Sequence, residues 1–269
     1  MYAITKKRGI LLAAFGSGSS QGESTLRRFD AQVRKAFPDV SVRWAFTSML
    51  MRERLASERK KSDSVHKALK KMAFEKFTHV AVQPVHVIPG FEYGDIVSDA
   101  DELRADGTFA SLVVGAPLLT ESQASVERAA CALLAGLPSG RAPGEPVLFM
   151  GHGSRHAAEG RYEALAAAVR ERDPLVLMGT LNGAVRLEHI VERLRACGRP
   201  FGRVWLLPLL AVVGRHTLED MAGDSEDSWR SRLEAEGIAC VPVLRGMMEY
   251  QGFRDIWVDN LAQAMKGWG

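Results

Sequence analysis

The chain is poor in cysteine: Cys131, Cys197 and Cys240 are the only three, and no two of them form a CxxC pair. That excludes a disulfide framework and a zinc-finger pattern, and it suits a reducing compartment. Long apolar runs are also lacking. The richest, Val204 to Val213, is broken by Pro208 and falls short of the roughly 18 residues a membrane helix needs. No membrane role is expected. Neither sign of charge dominates, since 35 Lys and Arg against 32 Asp and Glu leave a formal +3, too balanced for a nucleic-acid footprint. The chain has no HExxH helix. Gly16-Ser17-Gly18-Ser19-Ser20 lacks both the Gly-Lys-Ser/Thr ending and the GxGxxG spacing of nucleotide loops. It is at most a backbone donor site for an anionic group.

Against these absences stand 46% apolar and 25% charged residues, ordinary globular usage over 269 residues. That length builds one large domain or two small ones. Near the N-terminus, Lys6-Lys7-Arg8 before Ile10–Phe15 imitates a secretion signal, but the apolar stretch is short and a glycine-rich turn follows at once. A buried strand running into a functional loop is the better reading, in a soluble, cytoplasmic protein.

Short apolar runs alternate with amphipathic stretches. Residues 10–15, 40–47, 79–87, 111–115, 147–150, 175–180, 203–210 and 239–244 are predicted strands. Residues 24–37, 65–77, a stretch around 99–104, 159–172, 186–197, 225–236 and 253–266 are predicted helices. The pattern implies an α/β fold with parallel sheets covered on both faces. Residues 137–146 (LPSGRAPGEP) lack periodicity and read as a linker, dividing the chain into an N-terminal lobe (1–137), a linker (138–146) and a C-terminal lobe (147–269) whose last helix is free to pack back on the first.

The two halves look like copies. Phe15-Gly16-Ser17-Gly18-Ser19 matches Met150-Gly151-His152-Gly153-Ser154, each just beyond the first strand of its half. Phe46-Thr47 matches Gly179-Thr180, and Gln83-Pro84 matches Leu207-Pro208. Eight residues past each proline stand Glu92 and His216. Ligands of open α/β sheets bind outside the carboxyl ends of the strands, so a pairing of the halves aims His152, Glu92 and His216 at one cleft.

His152 is flanked by glycines that let the imidazole project, although a helix cap or loop filler is the alternative. His216 has Asp220 four residues on, a distance that suits a carboxylate accepting from the ring. His86 and Glu92 follow the third strand around the Pro89-Gly90 turn; a structural histidine and a solvated carboxylate are the alternatives for these two. His156 has the spacing of a second ligand, with an exposed position at the start of the next helix as the favoured reading; His66, His79 and His189 read as structural. Arg59, Lys60 and Lys61 read as a solvated basic loop. Two histidines and a carboxylate suit Co, Fe, Ni or Zn, and neutral imidazoles accept protons. Metal insertion into a tetrapyrrole and metallohydrolase chemistry both fit, and spacing does not choose between them.

Several segments carry a family resemblance: residues 14–16 (AFG), 42–47 (VRWAFT), 78–93 (THVAVQPVHVIPGFEY), 149–154 (FMGHGS), 204–216 (VWLLPLLAVVGRH) and 220–229 (DMAGDSEDSW). They resemble the anaerobic (class II) cobalt chelatases of the CbiK family, which insert Co2+ into sirohydrochlorin in cobalamin synthesis. The resemblance implies two similar α/β lobes with the active site in the cleft between them, a lyase-type chelatase that needs no ATP, and metal-binding, catalytic roles for His152 and His216. It makes Co2+ the substrate metal, with Fe2+, Ni2+ or Zn2+ as in-vitro substitutes, and sirohydrochlorin the anionic partner. Substrate contacts are expected from Gly16, Ser17, His86 and Asn182, and a homo-oligomer is compatible with the reading. One position departs: where family members commonly carry Gly-Thr-Val-Glu-Gly, this chain has Gly-Thr-Leu-Asn-Gly at 179–183, so Asn182 stands in for a carboxylate. Glu92 is then the expected carboxylate. A haem-binding secreted variant of the family is also similar, but no histidine follows Glu92-Tyr93, and no haem is expected. A sirohydrochlorin ferrochelatase and a tetrapyrrole or metal carrier are the alternative functions.

Overall fold

The computed structural model describes residues 6–60, 62–197 and 201–268. Lys61 of the basic loop lies outside the described residues. Contacts gather the chain into two compact units. One holds the described residues up to Gly18, Leu26–Leu118 and those from Asp255 on; the other holds Ser19–Thr25 and Leu119–Arg254.

The sheet of the first unit uses β1 (Arg8–Ala14), β2 (Ser41–Phe46), β3 (His79–Pro84) and β4 (Ser111–Val114). All pairings are parallel in the order β2-β1-β3-β4. Strands covered on both faces have no reason to alternate apolar with polar, and Ile10 to Ala13 and Val80 to Val82 are fully buried. Leu11, Ala13, Val80 and Val82 pack with Leu69 and Met72 of α3 (Val65–Phe74) and with Ile96, Ala100 and Leu103 of α4 (Phe91–Ala105). In this unit Trp44 meets Phe29 of α1 (Ser20–Ala36) edge-on at 6.5 Å, and Phe29 meets Trp257 of α9 (Gln251–Met265) at 6.2 Å. Asn260 donates its amide to the carbonyls of Ala116 and Pro117 just past β4, at 3.2 and 2.9 Å.

The second unit repeats the topology with β5 (Val147–Gly151), β6 (Val176–Thr180), β7 (Val204–Leu209) and β8 (Cys240–Pro242), all parallel in the order β6-β5-β7-β8. One face packs Leu148, Met150 and Leu206 against Leu187, Ile190 and Leu194 of α7 (Leu187–Ala196) and Trp229 and Leu233 of α8 (Trp229–Ala235). Also in this unit is α6 (Gly160–Arg170). The proline-rich segment at 137–146 is tied to it: Arg141 pairs with Asp173 at 2.5 Å, and Glu145 accepts from Arg203 at 2.8 Å and from the Trp205 indole at 2.7 Å.

All eight predicted strands are present with shifted ends; β3 stops at Pro84, so Val85 to Val87 lie beyond it. Two helices were not anticipated, α2 (Met49–Ser57) and α5 (Gln123–Ala135). In α2 only Leu55 is buried, so no apolar stripe marks it, and a Ser48 cap accepting from Met51 N–H starts it. The predicted helix around 99–104 begins much earlier, at Phe91, because Gly90 ends the turn and the first helical turn is largely exposed. Glu92 is therefore a first-turn helical residue rather than a loop one, where its charge suits the helix N-terminus.

Leu11 is fully buried in the first unit's core. Leu11→Ala is expected to lower stability by about 3 kcal/mol, read as a shift in the midpoint of urea unfolding.

Candidate functional site

At the end of β5 the chain passes through His152 and Gly153. Gly153 has φ +77°, and a Cβ there would stand 2.4 Å from Gly183 N and 2.9 Å from Thr180. Only glycine lets the loop after β5 lie this close to the loop after β6. Two backbone bonds join them: Leu181 N–H donates to Gly151 O and Asn182 N–H to His152 O, both at 3.0 Å. The exposed His152 ring has Nδ1 2.9 Å from Gly153 O. A carbonyl only accepts, so Nδ1 carries the hydrogen and the neutral ring keeps its lone pair on Nε2.

His216 reaches the same unit's site from β7. Met247 N–H and Met248 N–H donate to Leu210 O and Ala211 O, at 2.8 and 2.9 Å, and Ser19 Oγ donates to Val213 O at 2.6 Å. These bonds hold the loop that leads to the histidine. His216 opens a π-helical turn, His216–Met221, in which Ala222 N–H reaches back five residues to Thr217 O. Such turns are rare and recur at functional sites. The turn sets His216 Nδ1 2.6 Å from Asp220 Oδ2. The carboxylate accepts, so here too Nδ1 is the protonated nitrogen and Nε2 the free one. The two rings meet edge-to-face with centroids 4.9 Å apart. Two imidazoles with open Nε2 lone pairs, side by side, can hold a divalent metal or accept two protons. Among the described residues, no group of three or more His, Cys, Asp or Glu side chains is placed to hold a metal ion. Burial, with Glu234 nearby, pushes the Cys240 thiol up to about 12.

Of the other predicted site residues, Glu92 and His86 come together in the first unit. Glu92 Oε2 is 3.2 Å from His86 Nε2, and Thr47 Oγ1 is 3.4 Å from the same nitrogen. His86 is largely buried, and its Nδ1 has no hydrogen-bond partner among the described residues. Gly16 turns the chain after β1 with φ +107°, and Ser17 beside it is buried. Asn182 is exposed in the loop bonded to His152 O. The remaining histidines have local roles: His156 caps a short 3-10 turn by accepting from Ala158 N–H at 3.0 Å, and His189 accepts from Arg186 N–H at 3.1 Å. His79 packs edge-on against Trp268, and His66 sits 3.7 Å from both Asp99 and Glu102.

A family model described as "Cobalt chelatase (CbiK)" matches residues 8–266. The chain belongs to this family. It is 61% identical over 96% of its length to a sirohydrochlorin cobaltochelatase, CbiKC, of Nitratidesulfovibrio vulgaris, covering 91% of that protein. It is 32% identical to a sirohydrochlorin cobaltochelatase of Salmonella typhimurium, covering 96% of this chain and 97% of the other. The solved structure of SirB from Bacillus subtilis with Fe3+ shares the fold, with a TM-score of 0.63 over 98% of each chain at 14% identity. No helix among the described residues of this CbiK-family chain is long and apolar enough to cross a membrane.

The sequence reading missed the groups behind the site. Glu159, placed at the start of a helix, turns its carboxylate back to accept from Ser154 N–H at 2.8 Å. Buried Tyr162 takes a hydrogen bond from the Gly153 backbone, and burial together with the Glu159 charge raises its hydroxyl well above the usual phenol range. The only signal available was an acidic residue seven positions past His152, a spacing with no periodicity to mark it.

Asp220→Asn tests the His216 geometry. An amide can turn its NH2 toward Nδ1 and draw the proton onto Nε2, closing the lone pair. Calorimetric titration should show Co2+ affinity lowered about 10–100-fold, as for other lost partners of metal-binding histidines.

Proposed function

We propose that this chain is a metal chelatase that inserts Co2+ into sirohydrochlorin in cobalamin synthesis. What carries the reading is the pair of imidazoles with open Nε2 atoms, in a chain 61% identical to a sirohydrochlorin cobaltochelatase. The net reaction exchanges one Co2+ for two pyrrole N–H protons, so charge balances without a nucleotide, and no ATP or haem is invoked.

The two roles of the histidines follow one another at the same atoms. A lone pair on Nε2 that binds Co2+ cannot hold a proton. As the metal passes to the pyrrole nitrogens, the Nε2 atoms of His152 and His216 fall free and can take the two departing protons, one each, for release to water. Imidazole also accepts Fe2+, Ni2+ or Zn2+, so these ions serve as in-vitro substitutes. In the first unit the Glu92 carboxylate, 38% exposed beside His86, is a separate group able to take a cation or a proton. Gly16, Ser17, His86 and Asn182 are assigned as substrate contacts. We assign the protein to the cytoplasm, without a nucleic-acid partner.

The deciding assay mixes purified protein, sirohydrochlorin and either Co2+ or Fe2+ without oxygen and follows the metallated product. Faster insertion of Co2+ at physiological metal levels is expected. Preference for Fe2+ would make it a ferrochelatase on the same substrate. Tight tetrapyrrole binding with no acceleration of metallation would make it a carrier.

His152→Ala and His216→Ala should each slow metallation by about 100-fold or more while circular dichroism stays unchanged, since each removes a ligand and proton acceptor from outside the apolar core. Asn182→Glu places a carboxylate beside the His152 loop. It should tighten Co2+ binding roughly tenfold by attraction between unlike charges, read by calorimetry at about pH 8. Unchanged affinity would mean that the side chain at 182 points away from the metal.

A further inference from the structure

Behind the histidine pair, one carboxylate ties together the two loops that matter most to His152. Glu159 Oε2 accepts from Ser154 N–H at 2.8 Å, in the loop after β5. Its other oxygen, Oε1, accepts from Ala184 N–H at 3.3 Å, in the loop after β6, and lies 3.4 Å from Oγ1 of Thr180, the last residue of β6. Thr180, itself buried, accepts from Gly183 N–H at 3.1 Å. The fit is close: a Cβ on Gly183 would overlap the Glu159 carboxylate, and one on Gly153 would overlap Gly183 N. Tyr162, three residues further on, adds a bond to the Gly153 backbone. Two backbone bonds link the same segments, Leu181 N–H to Gly151 O and Asn182 N–H to His152 O.

We infer that Glu159 is a positioning residue of the metal-insertion reaction: its two carboxylate oxygens lock the His152 loop to the 180–184 loop and so hold His152 Nε2 in register with His216 Nε2. Glu159 does not touch either histidine in the contacts described, and it acts through Ser154 and Gly153. A carboxylate suits this job because it is acceptor-only at both oxygens, and each oxygen faces a backbone N–H. Glutamine has nearly the same shape but cannot do it. Whichever way the amide turns, its NH2 confronts either Ser154 N–H or Ala184 N–H, donor against donor. The loop must then shift to relieve an unpaired contact, and the ring of His152 shifts with it. The inference rests on the proposed chelatase activity for its rate, but the ring geometry can be read without it.

The test uses the full chain, labelled with 15N in histidine, as wild type and as Glu159→Gln. In the wild type the His152 ring should give a single Nδ1–H pattern. In Glu159→Gln that pattern should broaden or double, while His79 in the other unit is unchanged. With sirohydrochlorin and Co2+, kcat should fall about 10–100-fold, as when partners behind metal-binding histidines are lost. KM for the tetrapyrrole should change less than kcat, within about threefold, because of the four assigned substrate contacts only Asn182 lies in a clamped loop. If Glu159→Gln does not fold, Thr180→Val removes the hydroxyl from the same clamp at constant shape and should act in the same direction. Wild-type kcat together with an unchanged His152 spectrum in the variant that folds would overturn the inference. So would a change spread equally over His79, which would make Glu159 a general pillar of the fold. A wild-type protein with no cobalt insertion would defeat the proposed function instead, and the His152 spectrum would still judge the clamp.

Discussion

The constraint on which the site depends is that each of two imidazoles must spend its Nδ1 hydrogen locally. An unrestrained neutral histidine divides its proton between two nitrogens, and either can end up facing the reacting atoms. Here Gly153 O takes the Nδ1 hydrogen of His152 and Asp220 takes that of His216. Both acceptors lie within four residues of their histidine, so the tautomer is set by local backbone geometry: a glycine with positive φ in one case and a π-helical turn in the other. The partly exposed His216–Asp220 pair contributes little to stability, as exposed ion pairs generally do. Its value lies in orientation.

The duplicated topology explains why these histidines arise where they do. Each unit builds a four-stranded parallel sheet with its first strand at an inner position, and the carboxyl ends of its strands open into short loops. In the second unit two of those loops carry His152 and His216. In the first unit the corresponding ends carry Gly16-Ser17 and Glu92, with Glu92 held at His86. One backbone plan has thus been given two chemistries by a handful of loop residues, which is the ordinary way α/β folds acquire function.

Most of this was legible before any coordinates. Parallel strands buried on both faces leave unbroken apolar runs, so the strands declared themselves; the repeat singled out His152, Glu92 and His216 as one set, of which His152 and His216 meet while Glu92 lies against His86. Asp220 was readable from its i+4 spacing. What stayed hidden depends on approach between segments distant in the chain or on helices without a stripe. The exposed α2 buries one residue and leaves no periodic trace. Glu159 folds back onto Ser154 and Ala184 from the start of a helix, and no spacing rule encodes a carboxylate turned toward two loops at once. The π-helical turn after Arg215 is likewise invisible to a 3.6-residue pattern. A single relative 61% identical settles the family where the residues alone left metal hydrolysis open.

The arrangement also bears on how tightly a cargo metal should be held. Cobalt in this reaction is a substrate, so a site that binds it too well slows its own turnover: energy spent on the bound ion raises the barrier to passing it on. Two neutral nitrogens leave most positions around a divalent ion open to incoming pyrrole nitrogens, which a closed set of four protein ligands does not. Asn182, in the loop beside His152, adds no charge of its own there. Precision then has to come from rigidity rather than from affinity. The Glu159 clamp, the glycine contact at 153 and the bonds from Met247 and Met248 each supply it by fixing a loop instead of adding a ligand. A weak site held in a rigid frame lets the metal arrive, stay oriented and leave.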